Sequence, residues 1–260
     1  MQPEHLLKGL AHKNPVARRI AAHTIGTLDE VALLPQMARA FKSEADSDVK
    51  AAIRWAGERL KAASSAGYST MDALFNYFGM NRAIENMPTE KELRLLQQLD
   101  ANNISMADLI NQRHRSMTDL IYQRPEQPTQ ADIQRPLNAL RADDRTARSQ
   151  AMARLFELKN MAALPHLVNI FLHDPDPTLR EQAQNTAKYL YWHAISWRMH
   201  QDGSIIAALE ARARALGKLD ADDGDTPQAP AVKSPDESSA AEAAEILRRA
   251  QEARAKRRKR

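Results

Sequence analysis

Cysteine is absent from all 260 residues, which removes disulfides, thiolate metal sites and a cysteine nucleophile together. Glycine (8), proline (13) and aromatic residues (5%) are sparse. Neither a Gly-rich phosphate loop nor a G-x-S-x-G elbow occurs. Nowhere do 18 apolar residues run together, and Met1-Gln-Pro-Glu-His-Leu-Leu-Lys8 holds no apolar signal core. These absences predict a chain that neither spans a membrane nor carries a standard secretion signal, and hence a cytoplasmic location. The length suffices to bury one or two cores.

What is present is a repeat. Residues 6–60 and 136–190, aligned at a shift of 130 without a gap, are identical at 12 of 55 positions. The identities include Leu7/Leu137, Leu10/Leu140, Arg18/Arg148, Ala21/Ala151, Leu34/Leu164, Pro35/Pro165, Phe41/Phe171 and Asp46/Asp176. Most fall on apolar or helix-boundary positions, as an internal duplication requires. Within each block a step recurs after 32 residues. Asn14-Pro-Val-Ala-Arg18 returns as Asp46-Ser-Asp-Val-Lys50, and Asp144-Arg-Thr-Ala-Arg148 as Asp176-Pro-Thr-Leu-Arg180. Asp or Asn caps a helix start by accepting backbone N–H bonds, and Pro15 or Pro177 occupies the first turn, where no N–H is needed. The preceding helices are amphipathic, with Leu33, Leu34, Met37, Ala40 and Phe41, or Leu164, Leu167, Val168 and Phe171, at spacings of three and four. Each unit is a helical hairpin that cannot bury its apolar face alone.

This pattern resembles HEAT repeats, through Leu-Pro at 34–35 and 164–165 and the D-x-x-[VAL]-[RK] step at 46–50, 144–148 and 176–180. The resemblance implies an all-α fold, a HEAT-like α-α solenoid, to which the sequence itself adds the internal duplication and, by composition, a flexible linker and a basic helical or disordered C-terminal arm. The expected divisions are repeats over 1–62, a divergent region over 63–130, repeats with a capping helix over 131–217, a linker over 218–238 and a basic tail over 239–260. Bases at the step in such repeats often bond to a neighbouring Asp, which makes Asp46 and Asp176 candidate acceptors.

Residues 61–130 lack the landmarks of the step. Two divergent hairpins continuing the solenoid, or an inserted helical subdomain, would each fill the gap. Ser69-Thr-Met-Asp72 and Pro88-Thr89-Glu90 open helices there. Ser105-Met-Ala-Asp-Leu-Ile-Asn-Gln-Arg113 returns at Ser116-Met-Thr-Asp-Leu-Ile-Tyr-Gln-Arg124, with seven identities in nine. The simpler reading has Ser105 and Ser116 each capping a short helix. On one continuous helix, a shift of 11 would instead align Arg113 and Arg124 on a face suited to a partner helix or a phosphate backbone.

After Pro177 the sequence predicts a helix with Ala183, Ala187, Leu190, Ala194 and Trp197 as its core stripe. Tyr189, Trp192, His193 and Ser196 then face elsewhere, either under Ile205, Ile206, Leu209 and Leu216 or as a contact patch, since Tyr and Trp pair apolar area with a donor.

No catalytic constellation stands out. His5/His12, His166/His173 and His193/His200 are spaced by seven, two helical turns, too far apart for one metal; solvated histidines are expected. The paired His-Glu steps of the di-iron hydroxylases built on HEAT-like repeats are missing. HEAT-like alkylpurine DNA glycosylases set Trp or Tyr, Asp and basic residues on a concave face; Trp55, Trp192, Trp197 and the many Arg keep such an enzyme as a third alternative, though no segment matches that family's motif and no catalytic residue carries over. No catalytic residue, metal or cofactor is therefore expected.

From about Leu219, Asp220, Asp222, Asp223 and Asp225 precede Pro227, Pro230 and Pro235, the composition of a disordered linker. The end is cationic through Arg248, Arg249, Arg254, Lys256, Arg257, Arg258, Lys259 and Arg260. Against the chain's net +4, residues 248–260 carry +7, leaving 1–247 at −3; a mildly acidic body is expected. The leading expectation is a non-catalytic scaffold or adaptor binding a protein partner. Its concave face would present Arg18, Arg19, Lys50, Arg54, Arg148 and Arg180, with Tyr189, Trp192 and His193 as a further patch. An alternative is a nucleic-acid-associated accessory protein whose arm, with Arg113 and Arg124, contacts DNA or RNA phosphates by counterion release.

Overall fold

The computed structural model describes residues 3–99, 105–121 and 129–219, without the side chains at 3, 95–99, 113 and 115–121. All of these belong to one compact unit, Met1–Leu219; the second, Asp220–Arg260, lies outside the described residues, and with it the basic arm. Thirteen α-helices and two 3-10 turns occur among the described residues, with no strand. The first group is α1 (Pro3–Leu10), α2 (Pro15–Leu28), a 3-10 turn at Val31–Leu33, α3 (Leu34–Ser43) and α4 (Ser47–Ser65). The second is α5 (Thr70–Tyr77), α6 (Met80–Glu85), α7 (Glu90–Leu99) and α8 (Met106–Ile121). The third is α9 (Gln130–Ala139), α10 (Arg145–Leu158), a 3-10 turn at Met161–Ala163, α11 (Leu164–His173), α12 (Pro177–Gln201) and α13 (Ser204–Ala215).

The helix starts follow from local chemistry. Asn14 accepts from the Val16 amide, Asp46 from Asp48 and Val49, Asp144 from Ala147 and Asp176 from Thr178. Each such cap contributes about 1 kcal/mol. At their other ends, α2 and α10 close on Asp29 and Lys159, both in the left-handed region with φ 51°.

Two cores form. The first joins α1–α4 with α9–α12 through Ile25, Leu28, Leu60, Leu155, Leu164 and Leu190. The second joins α5–α8 with α13 through Phe75, Met80, Ile84, Ile110, Ile205 and Leu209. The first and third groups of helices therefore pack directly on each other, α11 and α12 both lying against α2. The middle helices share a core with α13, and Trp192 packs against both cores.

Three expectations need correction. Helix α8 runs unbroken from Met106 to Ile121, so Ser116 lies inside a helix rather than starting one, because nothing interrupts the backbone ladder between the two Ser-x-x-Asp steps. Trp197 is 43% exposed, whereas Tyr191 and Ser196 are buried. Helix α12 spans 25 residues and meets α5 and α13 as well as α10 and α11, so its covered face changes along its length. Third, residues 1–219 hold 28 Lys+Arg against 24 Asp+Glu, a net +4. The acidic surplus belongs to 220–247, at −7, and the helical unit is itself cationic.

Candidate binding surface

Arg18, Arg148 and Arg180 act alike. Each Nη1 donates to the carbonyls six and five residues earlier: His12 and Lys13, Ala142 and Asp143, Asp174 and Pro175. Those oxygens follow a helix C-terminus, where the helix dipole favours a cation. Arg18 also donates from Nε and Nη2, both at 2.8 Å, to the Glu44 carboxylate. Arg148 Nε lies 2.8 Å from Asp174. The acceptors are thus two residues upstream of Asp46 and Asp176, whose carboxylates receive their own helix amides; Asp176 in addition pairs with Arg145. Hydrogen bonds from Arg18, then from the Asp46 amide, hold the Glu44 carboxyl down at about 2.

The other expected bases are placed differently. Arg19 and Arg54 are exposed and Lys50 half-buried. Arg19 lies 3.8 Å from Asp48 and lines a cleft between α2 and α11 with His23 and Leu172. Lys50 and Arg54 converge on the Phe41 ring, 5.3 and 5.7 Å from its centroid. The side chain of Arg113, together with Arg124 and residues 248–260, lies outside the described residues.

A groove of about 640 Å³ lies between α10 and α12, with Tyr189 from the aromatic run of α12 in its lining. Phe156 and Tyr189 stack at 3.8 Å between centroids. Tyr77 of α5, 46% exposed, leans over them with its ring 5.1 Å from Tyr189 and 5.5 Å from Trp192. Glu157, Glu181, Gln182 and Asn185 form the polar side of the groove. Trp192 and His193 are half-buried behind Tyr189, and Ile205, Ile206 and Leu209 join the core beneath Trp192. His193 is thus not solvated: burial, then the charge of Lys159, pushes its pKa down to about 4. Tyr77 and Phe156 carry no sequence signal of their own, since each sits in a different helix from the aromatic run.

A buried polar junction, unmarked in the sequence, holds the turn after α2. The Asp29 carboxylate accepts from Arg59 at 3.0 Å, Gln184 at 3.2 Å and Lys188 at 2.6 Å. Arg59 also donates to the Gly26 carbonyl at 2.9 Å and Gln184 to that of Thr27 at 3.0 Å. Next to it Glu30 is 3% exposed, and burial raises its pKa despite the Tyr191 and Thr70 hydroxyls beside it. Tyr68 is pushed up to about 12 by burial and by the Asp29 charge. Only the spacing of Gln184 and Lys188, one turn apart on α12, hints at a shared polar task.

His200 Nδ1 and His114 Nε2 approach to 3.4 Å. No cluster of three or more His, Asp or Glu suited to a metal occurs among the described residues, and no described helix is long and apolar enough to cross a membrane. No family model, curated protein or solved structure matches the chain.

Proposed function

We propose that the chain is a non-catalytic helical scaffold, built from two HEAT-like blocks related by duplication, that binds a protein partner. The duplication draws support from pairs of features 130 residues apart. These are the Arg18–Glu44 and Arg148–Asp174 ion pairs and the left-handed residues Asp29 and Lys159. The binding role rests on one observation, the open groove floored by Phe156 and Tyr189 and overhung by Tyr77. Tyr77, exposed above two stacked rings and beside carboxylates and amides, has the setting of a protein contact, where Tyr is among the residue types enriched at the energetic centre. Affinity capture from the native source, with the full chain and with Tyr77→Ser, tests this reading. A partner retained by the full chain and lost on Tyr77→Ser supports it; one retained equally by both contradicts it.

A second reading is favoured by the +4 of the helical unit together with the eight bases of 248–260: association with DNA or RNA phosphates, tolerant of sequence and sensitive to salt. Mobility shifts with a random duplex and a random single strand at low and moderate salt decide it. Absence of any shift at low salt contradicts it.

A further inference from the structure

A second groove, of about 290 Å³, lies between α3 and α4. Leu34, Phe41 and Gly57 form part of its floor, and Lys42, Arg54 and Lys61 stand on its rim with Glu58 as the one acid. A Cβ added at Gly57 would meet nothing within 4 Å.

The matching face of the other block, 130 residues on, is covered. Leu164, Ala187 and Tyr191, the counterparts of Leu34, Gly57 and Lys61, are fully buried, and Val168, the counterpart of Ala38, is 3% exposed. Ala38, Arg54 and Lys61 are all exposed. What covers that face is a helix. Helix α2 packs on both α11 and α12, and Asp29 beyond its end takes Gln184 and Lys188. The same helix-pair surface thus occurs twice in one chain, once filled and once open among the described residues.

We infer that the α3–α4 groove is a docking site for an acidic amphipathic helix of a partner protein. The filled copy shows the shape that such a face accepts, a helix laid across the pair with carboxylates beyond its C-terminal end. The open copy differs in charge. Lys42 and Lys61 stand where the filled copy has Leu172 and Tyr191, and Arg54 where it has Gln184, while Glu58 replaces Lys188, so the open face is the more cationic by a net two charges against one. Three cations against one carboxylate around an apolar floor select an anionic helix over a neutral or basic one. The inference rests on the duplication proposed above.

The probe is an 18-residue helical peptide with leucine and alanine along one face and glutamates on the flanks; its twin has lysines in place of the glutamates. Binding to the full chain is followed by fluorescence anisotropy at moderate salt. The glutamate peptide should bind saturably and at least tenfold tighter than the lysine peptide. Gly57→Leu, whose Cβ enters open space in the groove, and the pair Arg54→Glu with Lys61→Glu should each weaken it tenfold or more. Equal binding of the two peptides, or binding indifferent to both variants, overturns the inference. So does a concentration-dependent dimer of the full chain that Gly57→Leu abolishes, because the occupant would then be a second copy. The contrast between the two faces is checked apart from the peptide. Val168→Glu, on the filled face, should lower the melting temperature by several degrees while Ala38→Glu leaves it unchanged. If that contrast holds and the peptide fails, the docking inference is lost; if the contrast itself is missing, one face is not filled and the other open, and the inference loses its premise.

Discussion

Lys188 places its ammonium 2.6 Å from the Asp29 carboxylate across 159 residues of sequence, with only 14% and 12% of the two side chains exposed. The contact ties the turn after α2 to the middle of α12, and so one block to the other. Lys188→Met leaves Asp29 with Arg59 and Gln184 alone and should cost about 3 kcal/mol. Asp29→Asn keeps a residue that tolerates the left-handed backbone and should cost less. Urea unfolding of both single variants and the double variant should give a coupling energy of about 1 kcal/mol or more. Strict additivity would mean that the pair does not hold the blocks together.

Gly26 and Gly57 should respond oppositely to alanine. A Cβ at Gly26 would fall 2.5 Å from the Trp55 ring and 2.9 Å from Ala56 Cα, so α2 and α4 would have to separate. Gly26→Ala is expected to destabilise by about 2 kcal/mol or more. At Gly57 the space is open, and Gly57→Ala should stabilise by up to about 1 kcal/mol through helix propensity alone. Thermal unfolding monitored by circular dichroism separates the two signs.

The Arg148–Asp174 pair, 12% and 3% exposed, predicts a loss of about 2–3 kcal/mol for Arg148→Ala. Arg148→Lys should restore little of it, because an ammonium cannot reach Asp174 and the carbonyls of Ala142 and Asp143 at once. Urea midpoints for the two variants check this. Full recovery with lysine would show that charge alone, without the forked geometry, suffices.

Stability should fall in two steps as the solution is acidified. His193 is held near 4 in the folded chain by burial, against 6.5 when unfolded. Between those values the unfolded chain binds more protons, so stability drops as pH falls from about 6.5 to 4. Glu44, held at about 2 against 4.5, adds a second loss as pH falls from about 4.5 towards 2. His23, His114 and His166 are also lowered, chiefly by burial, and act in the upper window with the same sign. His193→Phe should therefore reduce the upper slope without abolishing it, and Glu44→Gln should flatten the lower one. Urea midpoints across pH 3–8 read both.

The helix starts were legible because capping is local: Asn14-Pro15 and Asp176-Pro177 carry the cap and the first-turn residue side by side. The staples of Arg18 and Arg148 were half legible. The recurrence of Arg marked them, but their carboxylates lie in the loop ahead of the next cap, at Glu44 and Asp174, where no pattern points. The Asp29 junction was not legible, since its members come from α2, α4 and α12 and only tertiary packing assembles them. Ser116 misled because a good start signal has no force inside an established helix. Trp197 misled because a single 3.6-residue stripe cannot describe a 25-residue helix that changes neighbours. The charge of the helical unit became readable only once its end at Leu219 separated the acidic stretch 220–247 from it.

The partner-binding role is tested most directly by placing a photo-crosslinking amino acid at Tyr77 in the full chain and irradiating it in extracts of the native source. The scaffold reading predicts one discrete protein adduct at Tyr77, absent when the crosslinker sits at exposed Arg141 and diminished by Glu181→Lys on the groove's polar side. No adduct at Tyr77, or the same adducts from both positions, would contradict it.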